Sequence, residues 1–178
     1  MTNRQQWTLI AGLVGTAVFG VALAVKLRPQ MALLGVGSRA PDFQAVDLRA
    51  ARPVTMADYQ GKVLLLNIWA TWCGPCIEEM PAMERLHQQF QGTDFLILGI
   101  SVDEGGPEKV MKFANDLGVT FEILQDRSGA IQGIYQTAGV PESFVIDRSG
   151  TIVKKVIGAA QWDNGVNATL IRRLLDAR

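Results

Sequence analysis

The chain has 178 residues, with 17 Lys plus Arg balancing 17 Asp plus Glu for a formal net charge of zero. That balance offers no basic surface for nucleic acid and no strongly acidic one, and no internal repeat or low-complexity tract marks a solenoid or a disordered chain. One histidine and two cysteines fall short of the four protein ligands of an ordinary zinc centre, so no metal site is expected.

From Trp7 to Val25 the chain runs 19 residues without a charge, long enough to cross a bilayer as a helix. The expected organisation is a cytoplasmic N-terminus at 1–6, a transmembrane signal anchor at 7–25, a tether at 26–38 and one domain at 39–178. Ala22-Leu23-Ala24 also suits a small-x-small cleavage site, with Arg4 as a short basic region, so a cleaved signal peptide competes with the anchor. Either reading exports the remainder. Arg4 and the α-amine face Lys26 and Arg28 across the span, so charge barely decides orientation. A single-pass location in a cell membrane, with the main domain extracytoplasmic on the periplasmic side, follows by analogy to single-span exported proteins. The residues after Ser38, about 140 of them, suffice for one core.

Phe43 to Leu48 alternates as a half-buried strand should, and Val54-Thr55 is placed to pair with it. Met56 to Tyr59 reads as a brief helical turn. Val63 to Trp69 is a continuous apolar run, the pattern of a central parallel strand. Pro75 to Gln91 has Ile77, Met80, Met83, Leu86 and Phe90 at helical spacing, with Pro81 as an internal kink. Phe95 to Ser101 is a second apolar strand, followed by a helix from about Pro107 to Leu117 that Gly118 stops. Phe121 to Leu124 reads as a strand and Ala130 to Tyr135 as a short helix. Ser143–Ile146 and Ile152–Ile157 flank a turn as a hairpin. A last helix spans about Asn164 to Leu175, with Val166, Leu170, Leu174 and Leu175 expected inward. Strands alternating with helices predict an α/β fold with a mixed sheet covered on both faces.

The chemistry sits at Trp72-Cys73-Gly74-Pro75-Cys76, where the first apolar strand turns into a helix. Cys73 falls at or near the helix N-cap, where unpaired N–H groups and the positive end of the dipole favour a thiolate. Thiols so placed titrate at roughly 3.5–7.5 rather than near 8.5, which makes Cys73 a competent nucleophile at neutral pH. Cys76, one turn further in, is placed to resolve a mixed disulfide. Gly74 permits close approach of another backbone, and Pro75 takes an early helical position where its missing N–H costs little. A purely structural bridge gains little from so short a loop.

These residues, with Ala40-Pro41-Asp42-Phe43, Leu66-Asn67-Ile68-Trp69-Ala70-Thr71-Trp72-Cys73, the stretch from about Val102 to Asp126, and Val140-Pro141-Glu142-Ser143-Phe144-Val145-Ile146-Asp147, resemble the membrane-anchored TlpA/ResA branch of the thioredoxin superfamily. The resemblance covers nearly everything after residue 38. It implies a thioredoxin fold with an N-terminal β extension and a central αβ insert. It implies a redox-active Cys73–Cys76 disulfide, no cofactor, and a cis Pro141 beside the pair with Val140 free to bind an extended substrate segment. Asn67 stands where cytosolic thioredoxins bury a proton-moving aspartate, and the resemblance transfers that role to Glu79, one turn after Cys76. Glu142, after the proline, is expected at the substrate edge, as in thioredoxins of cytochrome c maturation. Trp69 and Trp72 are expected to shape an apolar rim.

The implied activity is thiol–disulfide oxidoreduction: reduction of disulfides in exported proteins, such as apocytochrome c, with electrons from a membrane-embedded donor. A peroxiredoxin-type peroxidase competes, although Ala70-Thr71-Trp72 precedes Cys73 without the proline that such enzymes carry. A non-redox client-binding or metallochaperone module is the third reading, which two thiols without a nearby histidine disfavour.

Overall fold

The computed structural model describes residues 33–177 together with Asn3, Trp7 and residues 14–20. Trp7 and residues 14–20 are helical and exposed, while the rest of the expected span at 7–25 and of the tether up to residue 32 lies outside the described residues. Among the described residues no helix is long and apolar enough to cross a membrane.

The unit that begins at Leu34 is built on one seven-stranded sheet. Its strands are β1 (Gln44–Asp47), β2 (Arg52–Thr55), β3 (Val63–Trp69), β4 (Phe95–Ser101), β5 (Glu122–Gln125), β6 (Glu142–Ile146) and β7 (Ile152–Ile157), in the order β2-β1-β5-β4-β3-β6-β7. β3, β4 and β5 are parallel neighbours, and β1, β2, β6 and β7 pair antiparallel at the flanks. The helices are α1 (Gly74–Gln89), α2 (Pro107–Asp116), α3 (Ala130–Ile134) and α4 (Gly165–Asp176), with a 3-10 turn at Met56–Tyr59. The mixed sheet, the β extension and the αβ insert are those implied by the resemblance.

Every residue of β3 is buried, because its apolar run leaves no face that tolerates water. Gly99 lies opposite Asn67 on β4. A Cβ there would sit 3.0 Å from a Phe121 ring carbon and 3.3 Å from the Trp69 indole nitrogen, so glycine leaves room for both side chains. Trp69 is fully buried and stacks on Phe113. It is a core residue and does not shape a rim, contrary to expectation.

Two further expectations change. The compact unit starts at Leu34, five residues earlier than composition suggests, because residues 34–38 are tied to the β7 edge. Gly37 N–H donates to Ile152 O at 2.8 Å, and Ile152 N–H donates to Ser38 O at 2.9 Å. In α4 the buried residues are Asn167, Ala168 and Ile171, with Leu170, Leu174 and Leu175 partly buried, and Val166 is 76% exposed. Polar anchors set that phase. Asn164 caps the helix by accepting from Asn167 N–H at 2.9 Å, and Asn167 Oδ1 accepts from Lys154 Nζ at 2.6 Å.

Candidate active site

β3 delivers the chain to a turn at the C-terminal end of the central strands, and α1 leaves from it. Cys73 is the N-cap of α1, with extended backbone at φ −92° and ψ 102°, and its sulfur accepts from Cys76 N–H at 3.2 Å. The two sulfurs are bonded at 2.07 Å with Cα atoms 5.3 Å apart. Cys76 is fully buried and Cys73 is 5% exposed, while Trp72 beside them is 70% exposed. A nucleophile at the rim and a resolving sulfur beneath it is the asymmetry that two-step exchange requires. Pro75 lies in the first turn, and a Cβ on Gly74 would meet nothing within 4 Å, so this side of the turn is open to an approaching chain. Pro81 is accommodated inside α1.

Across β3, β6 runs antiparallel with Glu142 opposite Ile68 and Ser143 opposite Asn67. The Val140–Pro141 bond is cis. This register places Pro141, buried, and Val140, half-buried, at the sheet end from which the cysteine turn emerges.

Behind the turn Glu79 is 2% exposed. Its Oε1 accepts from Asn67 Nδ2 at 2.8 Å, and its Oε2 accepts from Ala160 N–H at 3.0 Å and from Trp162 Nε1–H at 3.1 Å. Asn67 Nδ2 also donates to Ser143 Oγ at 2.9 Å. Burial pushes the Glu79 carboxyl above its usual value of 4.5, and the donors from Ala160, Trp162 and Asn67 pull the other way without cancelling it. A carboxyl poised in this manner, one helical turn beyond Cys76, is equipped to hold and release a proton.

Residues 36–155 match the AhpC/TSA family. The thiol-disulfide oxidoreductase ResA of Geobacillus thermodenitrificans strain NG80-2 is 37% identical over 143 residues, 80% of each chain. That of Geobacillus kaustophilus strain HTA426 is 35% identical over 147 residues, covering 82% of this chain and 83% of the relative. Among solved structures, one from Chlorobium tepidum named as a thiol:disulfide interchange protein DsbE superposes with a TM-score of 0.71 at 29% identity, over 80% of this chain and 99% of that one. The chain belongs to the ResA-like thiol–disulfide oxidoreductases. Cys73 and Cys76 form the Cys-x-x-Cys disulfide of this ResA-like chain.

Glu142 does not line an open substrate edge in this ResA-like chain. It is fully buried, its Oε2 accepts from Ala138 N–H at 2.9 Å, and Lys155 Nζ lies 2.9 Å from Oε1. The pairing is diagonal across the hairpin: Glu142 is opposite Ile157, and Lys155, two residues before Ile157, is on the same face. Lys155 also reaches Leu34 O at 3.3 Å and stands 5.3 Å from the Phe144 ring. A buried carboxylate needs such a cation and such donors.

Two of the three residues that hold Glu79 were not found by sequence reasoning. Trp162 and Ala160 follow the hairpin more than eighty positions away, and no local pattern singles them out. Among the described residues no group of three His, Cys, Asp or Glu is placed to hold a metal ion.

Proposed function

We propose that this ResA-like enzyme works outside the cytoplasm as a protein-disulfide reductase, held to the membrane in a single pass by residues 7–25. In this reading the Cys73 thiolate attacks one sulfur of a client disulfide. The client's first thiolate leaves and takes up a proton, giving a mixed disulfide. Cys76 then loses its proton, with Glu79 as the acceptor one turn along the helix, and attacks the Cys73 sulfur. The client's second thiolate departs and takes up a proton, leaving a dithiol client and the Cys73–Cys76 disulfide. Two electrons have moved to the client, and a membrane-embedded dithiol donor must return them. The clients are exported proteins with disulfides, apocytochrome c among them, bound in extended form along Val140 beside Trp72.

The observation that carries this reading is the placement of Cys73 at the N-cap of α1 over a fully buried Cys76, which equips the outer sulfur to attack and the inner one to resolve. Gly-Pro between them is the spacing of reducing thioredoxins at about −270 mV. Relatives named ResA support the chemistry.

Equilibrating the full-length protein in detergent with defined thiol–disulfide buffers tests the direction. A potential below roughly −230 mV is expected, whereas one above roughly −180 mV would make the protein an oxidase or isomerase. A reporter fused after Arg178 that is active only in the cytoplasm would overturn the topology. The AhpC/TSA match leaves a peroxidase as a second reading, and hydrogen peroxide consumption matching the rate of disulfide reduction would favour it.

A further inference from the structure

A second buried carboxylate lies behind the cysteine turn, on the side away from Glu79, and it takes no part in the exchange just described. Asp103 is the first acidic residue of the loop between β4 and α2, and it is buried together with Ser101 and Gln125. Its Oδ2 accepts from Thr71 N–H at 2.9 Å and from Ser101 Oγ–H at 2.7 Å, and its Oδ1 accepts from Thr71 Oγ1–H at 2.6 Å. Among the described residues no ion pair includes Asp103. Removing a lone carboxylate from water is costly unless strong donors replace the hydration. Two of the three donors here belong to one residue, Thr71, two positions before the nucleophile.

The carboxylate is itself fixed from behind. Asp103 N–H donates to Ser101 Oγ at 3.1 Å, and Gln125 Nε2 donates to both Asp103 O at 2.8 Å and Gly105 O at 2.9 Å. On the other side Val102 N–H donates to Trp69 O at 3.0 Å, and Cys73 N–H closes the turn on Ala70 O at 3.2 Å. A continuous run of hydrogen bonds therefore leads from β5, through Asp103, to Thr71, one of the four residues that carry the chain from β3 into α1. Hydrogen bonds to an ionised acceptor are about twice as strong as neutral ones, and holding both the backbone and the side chain of Thr71 leaves it one rotamer and one backbone conformation.

We propose that Asp103 is a positioning residue: by clamping Thr71 it fixes where Trp72 and the Cys73 sulfur stand, and the αβ insert serves as the strut that holds the clamp. The proposal rests on thiol–disulfide exchange itself and not on its direction, location or client. Exchange requires nearly linear approach of three sulfurs, and a misplacement of about 1 Å can lower the rate of such a reaction about 100-fold.

Three variants of the full-length protein in detergent test this: Asp103→Ala, Asp103→Asn and Thr71→Val. Each is read by the rate of insulin disulfide reduction, by the pH profile of Cys73 alkylation with iodoacetamide in the reduced protein, and by urea unfolding. Asp103→Ala should lower the exchange rate about 10- to 100-fold and shift the alkylation profile. In Asp103→Asn the amide oxygen can take the place of Oδ2, while Nδ2 donates to the Thr71 hydroxyl, which accepts as readily as it donates. That variant should keep the wild-type profile and a rate within about threefold of wild type. Thr71→Val loses one arm of the clamp and should fall between them. A folded Asp103→Ala protein with wild-type rate and profile would reduce Asp103 to a purely structural role and overturn the proposal. So would equal impairment of Asp103→Ala and Asp103→Asn, since charge rather than the clamp would then be acting. If Asp103→Ala does not fold, Thr71→Val decides alone, and an unchanged rate and profile there overturn it equally.

Discussion

Glu79 and Glu84 are both buried, lie five residues apart on α1, and accept three hydrogen bonds each, yet their protonation is pushed in opposite directions. Glu84 accepts from Thr120 N–H at 2.8 Å, Thr120 Oγ1–H at 2.5 Å and Gln88 Nε2 at 3.0 Å. Burial pushes Glu84 up, but its donors and the nearby His87 outweigh that and hold it below 4.5. Glu79 also has three donors, and there burial wins. The lesson is that donor number does not decide the state of a buried carboxyl; the depth of desolvation does. At the cysteine end of the helix the protein keeps a carboxyl whose proton is exchangeable. At the other end it keeps a fixed anion that clamps α1 to the segment entering β5.

The two residues should fail differently when replaced. Glu84→Ala leaves the Thr120 N–H without its partner and removes two charge-assisted contacts, which should cost about 2–4 kcal/mol in urea unfolding. The rate of disulfide exchange per folded molecule should stay unchanged, and a slowed exchange would break the comparison. Glu79→Gln should do the reverse. Near pH 4.5 stability changes little, because Asn67 and Ser143 can turn to pair with the amide, but attack by Cys76 on the mixed disulfide should slow about 10- to 100-fold at neutral pH in single-turnover measurements. An unslowed step would remove Glu79 from proton transfer.

The pH dependence of stability separates them again. Glu84 is held below its usual value, so its contribution is present above about 4.5 and is lost as pH falls through its lowered value. Glu79 is held above 4.5, so it favours the fold most below that pH and loses that contribution as pH rises through its raised value. In the oxidised protein, Glu79→Gln should therefore gain stability relative to wild type between pH 4.5 and neutrality, while the loss caused by Glu84→Gln should shrink on acidification. Urea unfolding across that range checks both signs, and parallel curves for the two variants would contradict the assignment.

Much of this was legible in the chain itself. The apolar run into Trp72-Cys73-Gly74-Pro75-Cys76 announces a buried strand, a turn and a helix start, because periodicity and capping act over a few residues. Glu79 was reached through the family resemblance, one turn beyond Cys76, and its burial follows from contacts made across the fold. What stayed hidden depends on register and distance. Glu142 reads as a residue of the substrate edge until the hairpin pairing brings Lys155 diagonally onto its face. Val166 fits an apolar stripe, but Asn164 and Asn167 rotate α4 so that it points to water. Asp103 and Thr71 meet only because β4 lies beside β3, thirty-two positions away in sequence.

The finest test concerns the donors that only partly offset burial at Glu79. Trp162 is buried, its indole N–H donates to Glu79 Oε2, and Lys154 Nζ lies 5.5 Å from the ring centre. Trp162→Phe keeps an aromatic ring in the site and removes that donor, leaving Ala160 N–H alone on Oε2. The hydrogen bond and the lost ring volume together should cost about 1–2 kcal/mol. The donor favours the charged form of Glu79, so its loss should raise the carboxyl further. The penalty is therefore smaller at acid pH, where the carboxyl is protonated in both proteins, and grows as pH rises through the interval between their two values. A penalty independent of pH would mean that Trp162 acts through packing alone, and the state of Glu79 would then have to be set by Asn67 and Ala160 against the depth of its burial.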